Sequence, residues 1–217
     1  MAMDAPAPQF WYVLTHLGTA GLMLPVALMT AAGLWFSGRR PALWVWLFAL
    51  GGGALLVLAS KLAFMGWGIG SAALDFTGVS GHAMLAASIL PVWLAWLLAG
   101  YEQRFSAPGL VFGLLLGALV ALSRVLLGAH SISEAVLGWL LGAAVALAAW
   151  RALAGPLRWS RLSLLALLPL SLSFDTTAAN YLPAYHWEQN AALWLSGRST
   201  PYTRADLLHG RLARPPQ

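Results

Sequence analysis

The sequence predicts an all-α integral-membrane helical bundle of about six transmembrane helices. Three observations carry that prediction. Of 217 residues, 60% are hydrophobic and 9% charged, whereas a soluble domain carries about 25% charged residues. The mean hydropathy is +0.74. The apolar residues fall into long runs, several near the roughly 20 residues that a helix needs to cross a bilayer. Such a chain is neither a soluble globular domain nor a disordered one. It has no cysteine, which excludes disulfides, zinc–thiolate sites and thiol nucleophiles. The net charge of +5 reads as orientation and attraction to anionic lipid, not as nucleic-acid binding.

The first run covers residues 10–36, with Pro25 as the expected kink, and Ser37-Gly38-Arg39-Arg40-Pro41 ends it. No Lys or Arg precedes it, so it reads as retained rather than as a cleaved signal peptide. The second run, 42–65, has Lys61 near its end, and its Gly51-Gly52-Gly53 reads as a point of close helix packing. A Gly-rich stretch, 66–81, leads to the third run, 82–99. A polar loop, 101–108, separates this from the fourth, 109–122, which meets Ser123 and Arg124. The fifth run is 135–150, and the sixth, 162–174, is short and carries Pro169. These runs define a membrane-embedded domain, 1–174, followed by a polar, basic tail, 175–217. Within the tail, 185–195 predicts a short amphipathic helix stopped by Ser196-Gly197. The 12 tryptophans read mostly as interfacial belt residues.

The arginines orient the bundle. If every run crosses, Arg39, Arg40, Arg104, Arg151, Arg158 and Arg161 share one face, which the positive-inside rule makes cytoplasmic. Lys61, the 66–81 stretch, Arg124 and the tail then lie on the outer face. Ionisable groups near or within spans point to function by default, and on this face seven polar side chains, six of them ionisable, cluster: Lys61, Asp75, Ser80, His82, Arg124, His130 and Glu134. Singly each has an ordinary explanation. Lys61 and Arg124 snorkel, Asp75 caps a turn, His82 starts a helix, and Glu134 complements a helix dipole. His16, near the outer end of the first run, reads as a packing or interfacial residue or as part of a lipid access path.

Together their spacing carries more. Val79-Ser80-Gly81-His82 resembles the Pro-Ser-Gly-His signature of the type 2 phosphatidic acid phosphatase (PAP2) superfamily. Ser123-Arg124, His130 and Glu134 resemble that family's S-R-x5-H-x3-D signature, and Lys61 stands where its K-x6-R-P signature would begin. The resemblance covers about residues 42–150. It departs at Val79, which replaces Pro, at Glu134, which replaces Asp, and at Gly68-Ile69, which replace Arg-Pro.

The resemblance implies a PAP2-like core and a membrane phosphatase in which His130 attacks phosphorus, forming a phosphohistidine, and His82 protonates the leaving alcohol. Glu134, four residues after His130, is placed to orient its imidazole. Lys61 and Arg124 would neutralise the phosphate, with Ser80 and the amides at Gly81 adding donors. Asp75 is an accessory candidate as partner to Lys61 or Arg124. Arg204 in the tail, followed by Arg198, is the candidate to replace the missing arginine. No cofactor is expected, and no metal, because Lys61 and Arg124 beside the histidines would repel a cation. The expected partners are the bilayer and a phosphorylated membrane lipid: undecaprenyl pyrophosphate, phosphatidylglycerophosphate, phosphatidate or a lipid A phosphate. The expected location is a bacterial inner membrane, multi-pass, with the site facing the periplasm. The alternatives are a lipid phosphotransferase using the same site and a non-catalytic membrane protein that binds or moves phospholipids.

Overall fold

The computed structural model describes residues 9–100, 102–153 and 184–210. The fold is all-α: α1 (Gln9–His16), α2 (Ala20–Phe36), α3 (Arg40–Trp67), α4 (Gly81–Ala99), α5 (Ser106–Leu126), α6 (Ile132–Ala152), α7 (Ala184–Ser196) and α8 (Arg204–Leu208). No strand occurs among the described residues. Helices α3 to α6 are each long and apolar enough to cross a membrane, and the bent α1–α2 pair makes a fifth candidate span. The protein is therefore a multi-pass membrane protein. The expected sixth run, 162–174, lies outside the described residues.

The first run bends somewhere other than expected. The chain turns by 40° between α1 and α2, at Leu17-Gly18-Thr19, while α2 continues through Pro25. The break falls where the chain presses on its neighbours. A Cβ on Gly18 would lie 2.7 Å from Val120 Cγ1 and 2.9 Å from the His82 carbonyl oxygen. Helix α5 begins at Ser106, inside the stretch expected to be loop, because Pro108 falls in its first turn, where a missing N–H costs nothing. Helix α6 begins at Ile132 because Ser131 caps it.

Helix α4 is the axis of the bundle. Within its most apolar stretch 67% of residues are buried, against 28% in α3 and 39% in α5 and α6. It packs mainly on α5 and α6, which approach through glycines. A Cβ at Gly109 would sit 2.6 Å from the Leu94 carbonyl, and one at Gly138 would sit 2.5 Å from that of Ser80. Gly113, Gly117 and Gly142 are equally close to α4. This is the small-residue contact by which helices associate in lipid. The glycine triplet of α3 behaves differently: Gly51 and Gly52 face open space, and only Gly53 packs, against Met84 and Val145.

The tryptophans divide similarly. Trp35, Trp44, Trp67, Trp187 and Trp194 are exposed, as belt residues are, but Trp46 and Trp96 are fully buried. Trp46 Nε1 donates to the Ser88 carbonyl at 3.0 Å.

Candidate active site

The ends of α3 and α5, the starts of α4 and α6, and α7–α8 meet at one end of the bundle. Arg39, Arg40, Arg104 and Arg151 lie at the other. Three local structures build the site.

The first is the 66–81 stretch. Ser71 and Phe76 form an isolated antiparallel bridge, closed by Asp75 in the left-handed region at φ 47°. This tight turn exposes the Asp75 carbonyl and points Thr77 at α6. The Ser80 N–H donates to the Glu134 carbonyl at 3.1 Å, and Ser133 Oγ donates to the Leu74 carbonyl at 2.7 Å, so stretch and helix are stitched together.

The second is the start of α6. Ser131 and Glu134 form a capping box, with the Ser131 N–H donating to Glu134 Oε2 at 3.1 Å. The same carboxylate, fully buried, accepts from the Thr77 N–H at 2.7 Å and from Thr77 Oγ1 at 2.6 Å. His130 Nδ1 lies 2.8 Å from Glu134 Oε2. A residue that reads as a simple helix-start acid thus also fixes an imidazole four positions earlier. That bond assigns the hydrogen to Nδ1 and leaves Nε2 with its lone pair.

The third is the tail. Arg204, the first residue of α8, reaches into the bundle. Its Nη2 donates to Glu134 Oε2 at 2.7 Å and to Thr77 Oγ1 at 3.2 Å. Its Nη1 lies 2.7 Å from Asp75 Oδ1 and 3.1 Å from the Asp75 carbonyl oxygen. Burial alone would depress a guanidinium, but Glu134 and Asp75 outweigh it and raise Arg204 above its ordinary value, keeping it charged. The α7–α8 segment is held against α3 by a small apolar cluster of Phe64, Met65, Ala192 and Leu207. The Tyr202 N–H donates to the Met65 carbonyl at 2.9 Å.

Lys61, Thr77, His130, Glu188 and Arg204 line one cavity of about 380 Å³. His82, in the first turn of α4, is off its wall but within electrostatic range of Arg124, His130, Lys61 and His16. Arg124 donates from Nη1 to Thr15 Oγ1 on α1 at 2.8 Å, and its Nε is buried without a partner. Three expectations need correcting. Asp75 pairs with Arg204, not with Lys61 or Arg124. Ser80 is fully buried and caps α4, accepting from the Ala83 N–H at 3.5 Å, so its hydroxyl serves the helix start. Arg198 stacks over Tyr202 at 3.9 Å and clamps the tail loop instead of entering the site.

The comparisons with known proteins follow the same residues. The model of the PAP2 superfamily matches residues 67–157, which hold His82, Arg124, His130 and Glu134. The chain is 34% identical over 206 residues to an uncharacterised 22.5 kDa protein of the cps region of Klebsiella pneumoniae, covering 91% of this chain and 97% of that one. The chain belongs to the PAP2 superfamily. Its fold resembles that of a transmembrane PAP2-type phosphatidylglycerolphosphate phosphatase from Bacillus subtilis. The TM-score is 0.53 at 24% identity, over 66% of this chain and 76% of that one.

The departures from the PAP2 signatures now have physical reasons. At Gly68, where the first signature has Arg, the backbone is left-handed at φ 69° and caps α3, a conformation glycine adopts freely and arginine does not. Ile69, where it has Pro, donates its N–H to the Ala63 carbonyl at 3.2 Å, which proline lacks. Val79, where the second signature has Pro, donates its N–H to Ser60 Oγ at 3.0 Å. Glu134 is long enough to complete the capping box and hold His130 together.

Sequence reasoning missed Thr15, Thr77 and Glu188. Thr15 is a polar residue inside an apolar run, a signal that was available. Glu188 was visible only as the acid of the tail helix. Its carboxylate holds Lys61 Nζ at 2.8 and 3.0 Å.

Proposed function

We propose that this chain is a lipid phosphatase that cleaves the phosphate ester of a membrane lipid through a phosphohistidine. The carrying observation is that His130, oriented by a buried carboxylate, shares one cavity with Lys61 and Arg204. A nucleophile and two anion-binding cations in one wall suit phosphoryl transfer, which is mostly positioning and charge neutralisation. In the proposed reaction His130 Nε2 attacks phosphorus and the P–O bond to the lipid breaks. His82 gives its proton to the departing alkoxide. Water, deprotonated by His82, then attacks phosphorus and releases phosphate and free His130. Lys61 and Arg204 supply the donors from the cavity wall, Arg204 standing in for the Arg-Pro that the α3 cap excludes, and Arg124 adds positive charge from behind that wall.

The arginines at the far end of the bundle support a cytoplasmic assignment for that end and a periplasmic one for the site, in a bacterial inner membrane. In this reading 1–174 is the membrane domain, and the 175–217 tail completes its active site.

The direct test is phosphate release by purified protein in detergent from a panel of lipid phosphates. Within it, Arg204→Ala is expected to lower kcat about a hundredfold, the scale of losing one preorganised donor to developing charge. Arg104→Ala, exposed at the opposite end, should stay within about twofold, as surface substitutions do. Equal effects would remove Arg204 from the mechanism. Sidedness is checked by a membrane-impermeant thiol reagent on spheroplasts. It should label a cysteine placed at Ala73 and spare one at Gln103, both exposed positions; the reverse pattern would invert the topology.

A further inference from the structure

We infer that Glu188 filters substrates by charge, so that the cavity takes a phosphate monoester in preference to a diphosphate; the inference rests on the phosphatase reading above. Glu188 lines the cavity and chelates the ammonium of Lys61 with both carboxylate oxygens, at 2.8 and 3.0 Å. It therefore holds the cation that the phosphate oxygens need. An arriving phosphate displaces the carboxylate from Lys61 but cannot send it far. Glu188 lies one helical turn from Ala192 on the same face of α7. Ala192 is fully buried against α3, where a Cβ on Gly66 would lie 3.3 Å from its carbonyl oxygen. The displaced carboxylate stays in the wall, facing the ligand.

The charges then limit what fits. Arg204 is already shared between Asp75 and Glu134; the described wall offers no Lys or Arg beyond Lys61 and Arg204, and Arg124 lies off that wall with its Nη1 on Thr15 Oγ1. A phosphate monoester brings a charge of about −1.5 to −2. A second phosphoryl group adds more negative charge at the mouth, against Glu188 and without a new cation, and like charges at this range oppose binding. Of the expected substrate classes, monophosphorylated lipids are favoured and lipid diphosphates disfavoured.

The test starts from the unaltered protein in detergent, titrated calorimetrically with inorganic phosphate and with inorganic pyrophosphate. Phosphate is expected to bind at least as tightly, although pyrophosphate carries the larger charge. Pyrophosphate binding more tightly would overturn the filter, whatever the fate of any variant. In Glu188→Gln the pyrophosphate-to-phosphate affinity ratio should rise about tenfold, one unit of charge interaction being lost. The kcat/KM ratio of a lipid diphosphate to a lipid monophosphate should rise alongside it. A purely structural Lys61–Glu188 tie would lower all four values together and leave both ratios fixed, which also overturns the proposal. If neither lipid is hydrolysed by the unaltered protein, the phosphatase reading fails, while the two titrations still judge the filter.

Discussion

Replacing His130 by alanine is expected to abolish phosphate release, lowering kcat by roughly five orders of magnitude, the scale seen when a covalent nucleophile is removed. The fold should survive. Glu134 loses one of its hydrogen bonds but keeps the Thr77 N–H and hydroxyl, the Ser131 N–H and Arg204, so no buried charge is stranded. The variant should elute from a sizing column as the parent does. No phosphorylated protein should be trapped by alkaline quenching, whereas the parent should yield a species stable to base and labile to acid. Turnover above about a hundredth of the parent would remove His130 as nucleophile.

Glu134→Gln carries the second large effect, and the geometry shows why a substitution of the same size is not mild. The two carboxylate oxygens meet only donors: the Thr77 N–H and hydroxyl on Oε1, and His130 Nδ1, the Ser131 N–H and Arg204 Nη2 on Oε2. Whichever way an amide is turned, its NH2 faces donors. The His130 tautomer is no longer fixed, and Arg204 loses a charge partner. A fall in kcat of about 10³- to 10⁴-fold is expected, by the logic of an orienting carboxylate in a catalytic triad. The buried donors left facing an amide NH2 should also lower stability by about 1–3 kcal/mol. Glu134→Asp separates the two effects. It keeps the charge but shortens the reach, so it should restore most of the thermal stability and only part of kcat. An unchanged kcat in Glu134→Gln would show that His130 needs no orienting group.

Much of this was legible in the chain because it is local. Apolar runs separated by helix stops give α3 to α6, since lipid demands about 20 apolar residues per crossing. His130 and Glu134 are four residues apart, and helical geometry alone makes them neighbours. What could not be read depends on distant approach. Nothing in the sequence around Pro25 or Gly18 says that α1–α2 bends at Gly18, because the bend is set by Val120 and His82 on other helices. The Asp75–Arg204 and Lys61–Glu188 pairs join residues 129 and 127 positions apart, and only the packing of α7 on α3 creates them. Ser80 misleads in the opposite way. A serine in a catalytic signature invites a role in binding, yet its burial and its cap bond give it a structural one.

The small apolar cluster that docks α7–α8 on α3 also matters for how the protein moves. The segment's buried apolar contact is Phe64, Met65, Ala192 and Leu207, with Leu62 and Tyr202 packed against it, whereas α4, α5 and α6 interlock along their lengths. Local opening free energies follow buried contact, and thinly packed segments open before the whole. In the proposed mechanism the segment carries the arginine that completes the phosphate clamp, together with the carboxylate that screens it. Its undocking would silence the enzyme while the bundle stays assembled, and redocking would switch it on again. The membrane helices then act as a durable chassis, and catalytic competence becomes a separate, faster equilibrium set at the water-facing end.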